Sequence, residues 1–220
     1  MSGYGKRTAG VSVVTTTWNE KANIEEVIRR IRLTLKETPH EVIVVDDGSP
    51  DGTLETAKPL ADVAVGKARE GQTSGLLYGT KIAKFSTIVT IDSDLENPPE
   101  LIPSLLEKLE QYDVVVASRT VLPRVSERWA AKTLGKLCGV SDFYSNFRAF
   151  KREALPVRLR GGETFGGELV VAAKRGGYRI GEVSYDAPSR RSRPRIGGTL
   201  RANWRITVAS WKCFLIYCFS

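Results

Sequence analysis

Cysteine and histidine, the residues that most often bind zinc, are scarce in this sequence. Its 220 residues include three cysteines, Cys138, Cys213 and Cys218, and a single histidine, His40. An odd number of cysteines without CxxC spacing predicts neither a disulfide framework nor a zinc site, and fits a reducing compartment. The single histidine follows Pro39 at a predicted turn, which argues against a catalytic triad built on histidine.

Long apolar runs are also missing. Spanning a bilayer takes about 20 continuous apolar residues, and the most apolar stretch, residues 199–220, is interrupted by Lys212. The first ten residues, MSGYGKRTAG, are polar and rich in glycine, which predicts a flexible tail over 1–10 and no signal peptide. Without repeats or low-complexity linkers, the chain has the length of one α/β domain.

Acidic residues are outnumbered by basic ones. The sequence has 33 lysines and arginines against 25 aspartates and glutamates, a formal net charge of +8. This balance favours anionic partners such as nucleotides, phosphorylated lipids, acidic membrane surfaces or nucleic acid, and does not by itself choose among them.

Three predicted strands end in acidic or polar residues. Residues 11–17, 42–45 and 87–91 are apolar or β-branched, as in buried strands. The residues that follow them are Trp18, Asn19 and Glu20, then Asp46 and Asp47, then Asp92, Asp94 and Glu96. Strands alternate with amphipathic helical patterns over the first 120 residues, which predicts a mainly parallel, doubly wound α/β sheet. The carboxyl edge of such a sheet is where ligands bind.

The acidic cluster after the strand at 87–91 is the strongest candidate site. If the extended conformation persists, the side chains of Asp92, Asp94 and Glu96 point in the same direction. Oxygen ligands of this kind suit Mg²⁺ or Mn²⁺. A divalent ion that is bound by few carboxylates keeps coordination positions open for substrate phosphates. An isolated Asp-x-Asp is more often a solvated acidic turn, here closed by Pro98 and Pro99, so the rest of the sequence decides.

Several ordered motifs resemble the glycosyltransferases of family 2, which have the GT-A fold. VVTTTWNEKANIEEVI, IVVDDGSPDGT and TIDSDLENPPE are similar to the family's first three motifs, and ASR, SDFYSNFRAFKREAL and YRIGEVSYDAPSR to its later ones. The likeness covers roughly residues 11–198 and is greatest to the polyprenyl-phosphate glycosyltransferases, including the dolichyl-phosphate mannose synthases.

This resemblance implies a GT-A domain over 11–198 and an inverting, metal-dependent transfer of a sugar. The implied partners are a nucleotide-sugar donor, with GDP-mannose favoured, and dolichyl or polyprenyl phosphate as acceptor. The nucleotide sugar is expected at Thr16, Trp18, Glu20, Asp46, Asp47, Asp92 and Ser93, and Mn²⁺ or Mg²⁺ at Asp92, Asp94 and Glu96. The acceptor phosphate is expected at Arg119, Arg128, Ser145, Arg148, Arg190 and Arg195, with Asp94, Arg119 and Arg128 as the catalytic residues.

The sequence departs from the family pattern at several of these positions. Thr16 stands where proline is usual, Trp18 replaces tyrosine, Glu96 replaces glutamine and Asn146 replaces a small residue. The segment SRRSRPRIGG resembles its family counterpart only weakly. A general base is not required by the implied chemistry, because a phosphate monoester, with a second pKa of about 6, is already ionised near neutral pH.

The segment 199–220 predicts an amphipathic helix. Its apolar residues recur every three or four positions, at Leu200, Trp204, Val208, Trp211, Leu215 and Phe219. Tryptophans beside basic residues favour a helix that lies in the membrane interface or docks to a small membrane-protein subunit. The expected location is peripheral, on the cytoplasmic side of a membrane; the alternative is a last helix that closes the core.

Other functions remain open from the sequence. The donor could be UDP-glucose or another nucleotide sugar, and the acceptor a sugar or protein, although such acceptors normally need a carboxylate base. A nucleotidyltransferase usually opens with a glycine-rich phosphate loop, and none follows the first strand. The non-enzymatic alternative is a basic module that binds anions or a membrane. Nucleic acid is not an expected partner.

Overall fold

The computed structural model describes residues 10–155, 164–188 and 199–219. Its strands form one seven-stranded sheet in the order β3-β2-β1-β4-β6-β5-β7. They are β1 Val11–Thr17, β2 His40–Asp46, β3 Val63–Gly66, β4 Thr87–Asp92, β5 Val114–Arg119, β6 Arg148–Lys151 and β7 Ile180–Tyr185. β6 runs antiparallel to both of its neighbours, whereas the other pairs are parallel. The predicted mainly parallel α/β sheet is confirmed.

The helices lie on both faces of this sheet. They are α1 Lys21–Thr34, α2 Thr53–Ala57, α3 Gln72–Ile82, α4 Ile102–Leu109, α5 Val125–Ala130, α6 Lys136–Cys138, α7 Phe165–Arg175 and α8 Thr199–Phe219. A π-helical turn, Ala131–Gly135, joins α5 to α6. Val13 of β1 packs in a cluster with α1 and α4, and the next residue, Val14, packs in a cluster with α3 and α7. Because both faces are covered, the inner strand β1 is buried along its whole length, including its serine and threonines.

The strand register brings the predicted acidic ends together. Thr16 of β1 pairs with Asp92 of β4, and Thr17 pairs with Asp46 of β2. His40 pairs with Val11 at the opposite edge of the sheet, where β1 begins. The carboxyl edge therefore collects carboxylates, and the single histidine lies away from it.

Helix α8 packs against the domain with one face and exposes another. Ala209, Ser210 and Cys213 are buried against neighbouring helices, and Ser210 Oγ lies 2.7 Å from the hydroxyl of Tyr144. Among the side chains of this helix that the structure describes, Trp204, Trp211, Phe214 and Leu215 are large, apolar and exposed. Among the described residues, no helix combines the length and hydropathy that crossing a membrane requires.

Candidate active site

A pocket of about 350 Å³ opens at the carboxyl edge of the sheet. Its walls come from the ends of β1, β4 and β5, the start of α3, the start of α5 and residues 144–146. Among the residues that the structure describes, six carboxylates and two guanidinium groups line it: Glu20, Asp47, Asp92, Asp94, Glu96 and Glu127, with Arg119 and Arg124. The protein is basic as a whole, but this pocket is acidic.

Asp92, at the end of β4, lies at the centre of this acidic wall. Its Oδ1 accepts a hydrogen bond from Gln72 Nε2 over 2.6 Å, and its Oδ2 accepts one from Asn97 Nδ2 over 3.2 Å. Burial and the nearby charge of Asp94 raise the pKa of Asp92 to about 7. A carboxylate in this environment is stabilised in its ionised form by an added cation.

The expected group of three metal-binding carboxylates is not preformed. β4 ends at Asp92, and Leu95 has a φ of 64°, so the chain turns before Glu96 and the side chains do not follow an extended alternation. In the described ranges, no three histidine, cysteine, aspartate or glutamate side chains are grouped to hold a metal. Asp92 and Asp94 still fit Mg²⁺ or Mn²⁺, which often takes one or two carboxylates and completes its coordination with substrate phosphates.

The predicted nucleotide residues of β1 and β4 meet in the pocket. Thr16, Trp18 and Ser93 all line it, and Ser93 Oγ donates to the carbonyl oxygen of Thr16 over 3.0 Å. The guanidinium carbon of Arg69 lies 3.6 Å from the centroid of the Trp18 ring. Arg69 was not expected from the sequence, because its stacking partner is about fifty positions away in the chain.

Asp46 and Asp47 are adjacent in the sequence but have different roles. Asp46 accepts hydrogen bonds from Thr17 Oγ1 and from the backbone N–H and hydroxyl of Ser49, which fixes the turn after β2. It is not among the residues that line the pocket. Asp47 does line the pocket and lies 3.1 Å from Lys67 Nζ. Asp46 was expected to contact the ligand, but in the structure it stabilises the turn after β2.

Arg119, at the end of β5, forms the basic wall of the pocket. Its Nε and Nη2 donate to the two oxygens of Asp142 over 2.6 and 3.2 Å, and Glu127 lies 3.9 Å away. Burial alone would lower the pKa of Arg119, but the hydrogen bonds and charge of Asp142 raise it above its ordinary value. The guanidinium is therefore fixed in place as a permanent cation.

Arg124, which sequence reasoning missed, lines the pocket beside Arg119. Its Nη1 donates to Glu127 Oε1 over 2.8 Å. Arg128 was expected here instead, but its side chain is exposed, its Nη1 donates to the carbonyl oxygen of Leu122 over 2.9 Å, and it is not among the pocket residues. The i, i+3 spacing of Arg124 and Glu127 was the available sequence signal, since it marks the first turn of α5.

Arg148 was expected to contact the acceptor phosphate, but its side chain lies in the interior of the protein. It is completely buried, and its three donor nitrogens bond to the carbonyl oxygens of Phe143, Ser145 and Gly166 over 2.5 to 2.7 Å. Burial lowers the pKa of Arg148. Because its donors are used by the backbone, it holds the segment that carries Ser145, which does line the pocket. Arg190 and Arg195 lie outside the described residues.

The pocket, the sheet order and the motif positions agree with one family. Residues 12–169 match the sequence model of glycosyl transferase family 2. The chain belongs to this family. Membership accounts for the collection of acidic residues at the carboxyl edge, because the matched region contains β1, β2, β4 and β5 with the turns that follow them.

Relatives of known name include transferases that act on lipid phosphates. A dolichol-phosphate mannosyltransferase of Pyrococcus furiosus is 33% identical over 165 residues, covering 66% of this chain and 47% of the relative. An undecaprenyl-phosphate 4-deoxy-4-formamido-L-arabinose transferase of Aeromonas hydrophila is 32% identical over 169 residues, covering 68% of this chain and 51% of the relative. The chain therefore spans about half the length of each relative.

Solved structures of similar fold include glucosyl-3-phosphoglycerate synthase of Mycobacterium tuberculosis. Its complex with Mn²⁺ and uridine-diphosphate-glucose superposes with a TM-score of 0.76 at 28% identity, covering 96% of this chain and 79% of that one. Its complex with phosphoglyceric acid superposes with a TM-score of 0.77 at 27% identity, covering 96% and 80%. The expected GT-A fold is confirmed.

Proposed function

We propose that this protein is an inverting, metal-dependent glycosyltransferase that moves a sugar from a nucleoside diphosphate to a polyprenyl phosphate. The observation that carries the proposal is the pocket lining of six carboxylates against two arginines. A nucleotide diphosphate brings further negative charge, which such a wall repels unless a divalent cation lies between them. Mn²⁺ or Mg²⁺ bound at Asp92 and Asp94 would supply Lewis-acid stabilisation of the leaving diphosphate.

The donor contacts follow from the residues around β1. Trp18 presents an aromatic ring already stacked by Arg69, and base stacking on an aromatic side chain contributes about 1–3 kcal/mol. Glu20 and Asp47 also line the pocket; Asp47 Oδ1 accepts from Lys67 Nζ and the backbone N–H groups of Glu70 and Gly71, which leaves an acceptor position on its Oδ2 for a base or ribose donor. GDP-mannose is the favoured donor because the sequence motifs resemble those of the dolichyl-phosphate mannose synthases, and UDP-glucose is the alternative.

The acceptor phosphate is assigned to the arginine wall. Arg119 and Arg124 are the two guanidinium groups of the pocket, and guanidinium groups bind phosphate oxygens through paired N–H donors. Asp142 holds Arg119 in one orientation, so little conformational entropy is lost on binding. An ionised phosphate needs no general base, which agrees with the position of His40 at the opposite edge.

A lipid acceptor requires the pocket to lie near a bilayer. The exposed apolar face of α8, with Trp204, Trp211, Phe214 and Leu215, lies beside α5, where Trp129 is also exposed. Tryptophan-rich faces of this kind bind at the membrane interface or against a membrane-protein partner. We assign the protein a peripheral position on the cytoplasmic side of the membrane, with a small membrane subunit as a further partner.

A second function is favoured by the structural neighbours. The glucosyl-3-phosphoglycerate synthase structures cover 96% of this chain and include complexes with UDP-glucose and with phosphoglyceric acid. The same arginine wall would take the phosphate of a small, water-soluble acceptor. In that reaction the attacking group is a hydroxyl, so a carboxylate base is needed as well.

One partition assay separates these functions. The protein is incubated with Mn²⁺, radiolabelled GDP-mannose or UDP-glucose, and either polyprenyl phosphate or phosphoglyceric acid. We expect label from GDP-mannose to enter the organic phase with polyprenyl phosphate. Label found only in a phosphorylated aqueous product would support the second function, and no transfer from either donor to either acceptor would contradict both.

A further inference from the structure

Two amide side chains hold the carboxylate of Asp92 from its two sides. Gln72 Nε2 donates to Oδ1 over 2.6 Å, and Asn97 Nδ2 donates to Oδ2 over 3.2 Å. Each carboxylate oxygen has two acceptor sites, so one on each oxygen remains for another partner. The two donors set the plane of the carboxylate and add no charge to the pocket.

Each amide is anchored at its other end. Asn146 Nδ2 donates to Gln72 Oε1 over 3.0 Å, and the hydroxyl of Tyr185 donates to Asn97 Oδ1 over 2.6 Å. An amide has one donor end and one acceptor end, so a donor bound at its oxygen leaves its N–H group directed at Asp92. The arrangement is therefore a hydrogen-bonded chain with Asp92 at its centre and Asn146 and Tyr185 at its two ends.

The two ends of this chain meet in one part of the fold. The ring of Tyr185 packs edge-on against Phe147, with centroids 6.3 Å apart and an interplanar angle of 80°. Phe147 directly follows Asn146. Burial raises the pKa of Tyr185, so its hydroxyl keeps its proton and remains a donor at neutral pH. Both anchors thus belong to the packing between β7 and the segment before β6.

The close approach of α3 to the sheet makes this chain possible. A Cβ atom on Gly75 would lie 2.6 Å from Thr16 Cγ2, and one on Gly79 would lie 2.3 Å from Val14 Cγ1. Only glycine at these positions lets α3 pack at this distance. The first residue of that helix, Gln72, is thereby carried to Asp92.

We propose that Tyr185 and Asn146 are positioning residues that, through Asn97 and Gln72, hold Asp92 in the orientation that binds the divalent cation. The inference rests on the proposed function, because it requires a cation at this carboxylate. Partners that orient a metal ligand typically change metal affinity by about 10- to 100-fold when they are removed. Sequence motifs cannot indicate these two residues, because they lie 88 and 74 positions from the amides they bind.

The test is a titration with Mn²⁺ in the presence of GDP or UDP, followed by electron paramagnetic resonance, which needs no turnover. Tyr185→Phe removes one hydroxyl and keeps the ring. We expect it to raise the Kd for Mn²⁺ by roughly 3- to 10-fold, less than the loss of a direct partner, because Tyr185 acts on Asp92 through Asn97. Asn146→Ala is expected to raise it by a smaller factor, because the exposed Gln72 regains a hydrogen bond from water.

Tyr178→Phe is the matched control. The Tyr178 hydroxyl donates to the carbonyl oxygen of Glu153 over 2.8 Å, away from the pocket, so its loss is expected to leave the Kd for Mn²⁺ unchanged. Thermal unfolding without metal is measured for every variant. If Tyr185→Phe does not fold, Asn146→Ala decides the question.

Two results would overturn the inference, and they have different consequences for the proposed function. If the wild-type protein binds Mn²⁺ and both Tyr185→Phe and Asn146→Ala bind it equally well, the positioning role is wrong and the proposed metal site stands. If the wild-type protein binds no Mn²⁺ with either nucleotide, the metal-dependent function fails first and the positioning role fails with it.

Discussion

The acidic wall and the arginine wall of the pocket are built in different ways. The acidic wall consists of the carboxylates Glu20, Asp47, Asp92, Asp94 and Glu96, which follow parallel strands β1, β2 and β4, so the sheet brings them to one edge. In the arginine wall each guanidinium is held by a carboxylate: Arg119 by Asp142, 23 positions away, and Arg124 by Glu127, three positions away. The first wall gathers like charges and is relieved by a cation, whereas the second is already neutralised by its own carboxylates.

Because of this difference, the two walls are expected to contribute differently to ligand binding and to the stability of the fold. Burial and the charge of Asp94 both disfavour the ionised form of Asp92 in the metal-free protein, which raises its pKa. Arg119 and Asp142 stabilise each other, because both are largely buried and their hydrogen bonds are bidentate. We therefore expect substitutions in the acidic wall to remove function while the fold survives, and substitutions in the arginine wall to affect both.

The largest effect is expected for Asp94→Asn. Loss of this charge should lower sugar transfer by on the order of 10² to 10³-fold, since stabilisation of the leaving diphosphate is lost. The melting temperature without metal should stay the same or rise, because repulsion with Asp92 is removed. Transfer assays and thermal unfolding check both parts.

Asp113→Asn is the control for that prediction. Asp113 precedes β5 at the opposite edge of the sheet, where it lies 2.7 Å from Lys151 Nζ. Its substitution should leave the KM for the donor unchanged. Full transfer by Asp94→Asn would contradict the role given to the acidic wall.

Arg119→Ala, unlike Asp94→Asn, should lower the stability of the fold as well as sugar transfer. Removing one partner of a buried ion pair destabilises a protein by about 3–5 kcal/mol. Asp142, whose side chain is 1% exposed in the structure, would lose this partner and keep a buried charge. Urea unfolding measures the loss, and we expect transfer to fall as well because the acceptor phosphate loses a guanidinium partner.

Two further variants sharpen the Arg119 measurement. Asp142→Asn added to Arg119→Ala should restore part of the stability, because the unpaired charge is gone. Arg29→Ala breaks an exposed pair with Glu26 and should change the free energy of unfolding by less than about 1 kcal/mol. If Arg119→Ala destabilises no more than Arg29→Ala, the two walls do not differ as described.

Trp18→Ala should weaken donor binding without changing the arginine wall. Loss of a stacked base costs about 1–3 kcal/mol, which corresponds to a rise in donor Kd of roughly 5- to 150-fold. Trp18→Phe keeps a stacking surface and should restore most of the affinity. Calorimetry with GDP or UDP measures the Kd, and equal affinities for wild type and Trp18→Ala would contradict the donor assignment.

The smallest effect is expected for Arg69→Ala. The stack of Arg69 on Trp18 exists before the donor binds and contributes about 0.5–1 kcal/mol to holding the ring, so its loss should raise the donor Kd by no more than roughly 2- to 5-fold, through the cost of ordering that ring. Lys84→Ala is the control, since Lys84 Nζ lies 4.9 Å from the ring centroid of Phe85, outside the pocket. An unchanged Kd in Arg69→Ala would mean that Trp18 binds the base without help.

The sequence predicted the acidic wall better than the arginine wall, for a physical reason. A buried strand followed by acids, as at Asp92, is a local pattern that a parallel sheet converts into one edge. Arg124 carried a local signal in its i, i+3 spacing from Glu127, but Arg148 could not be assigned locally, because a guanidinium can face a ligand or backbone carbonyl groups and only packing decides. β6 was likewise not predicted as antiparallel, since four residues carry no signal of strand direction.

The direct test of the central claim is the affinity for GDP and UDP with Mn²⁺ and with excess chelator, measured by calorimetry. Because the acidic wall repels a bare diphosphate, we predict binding at least about 100-fold tighter with Mn²⁺, a difference of about 2.7 kcal/mol. Asp94→Asn should lose that difference. Equal affinity in chelator and in Mn²⁺ would contradict the claim that these carboxylates bind a nucleotide diphosphate through a cation.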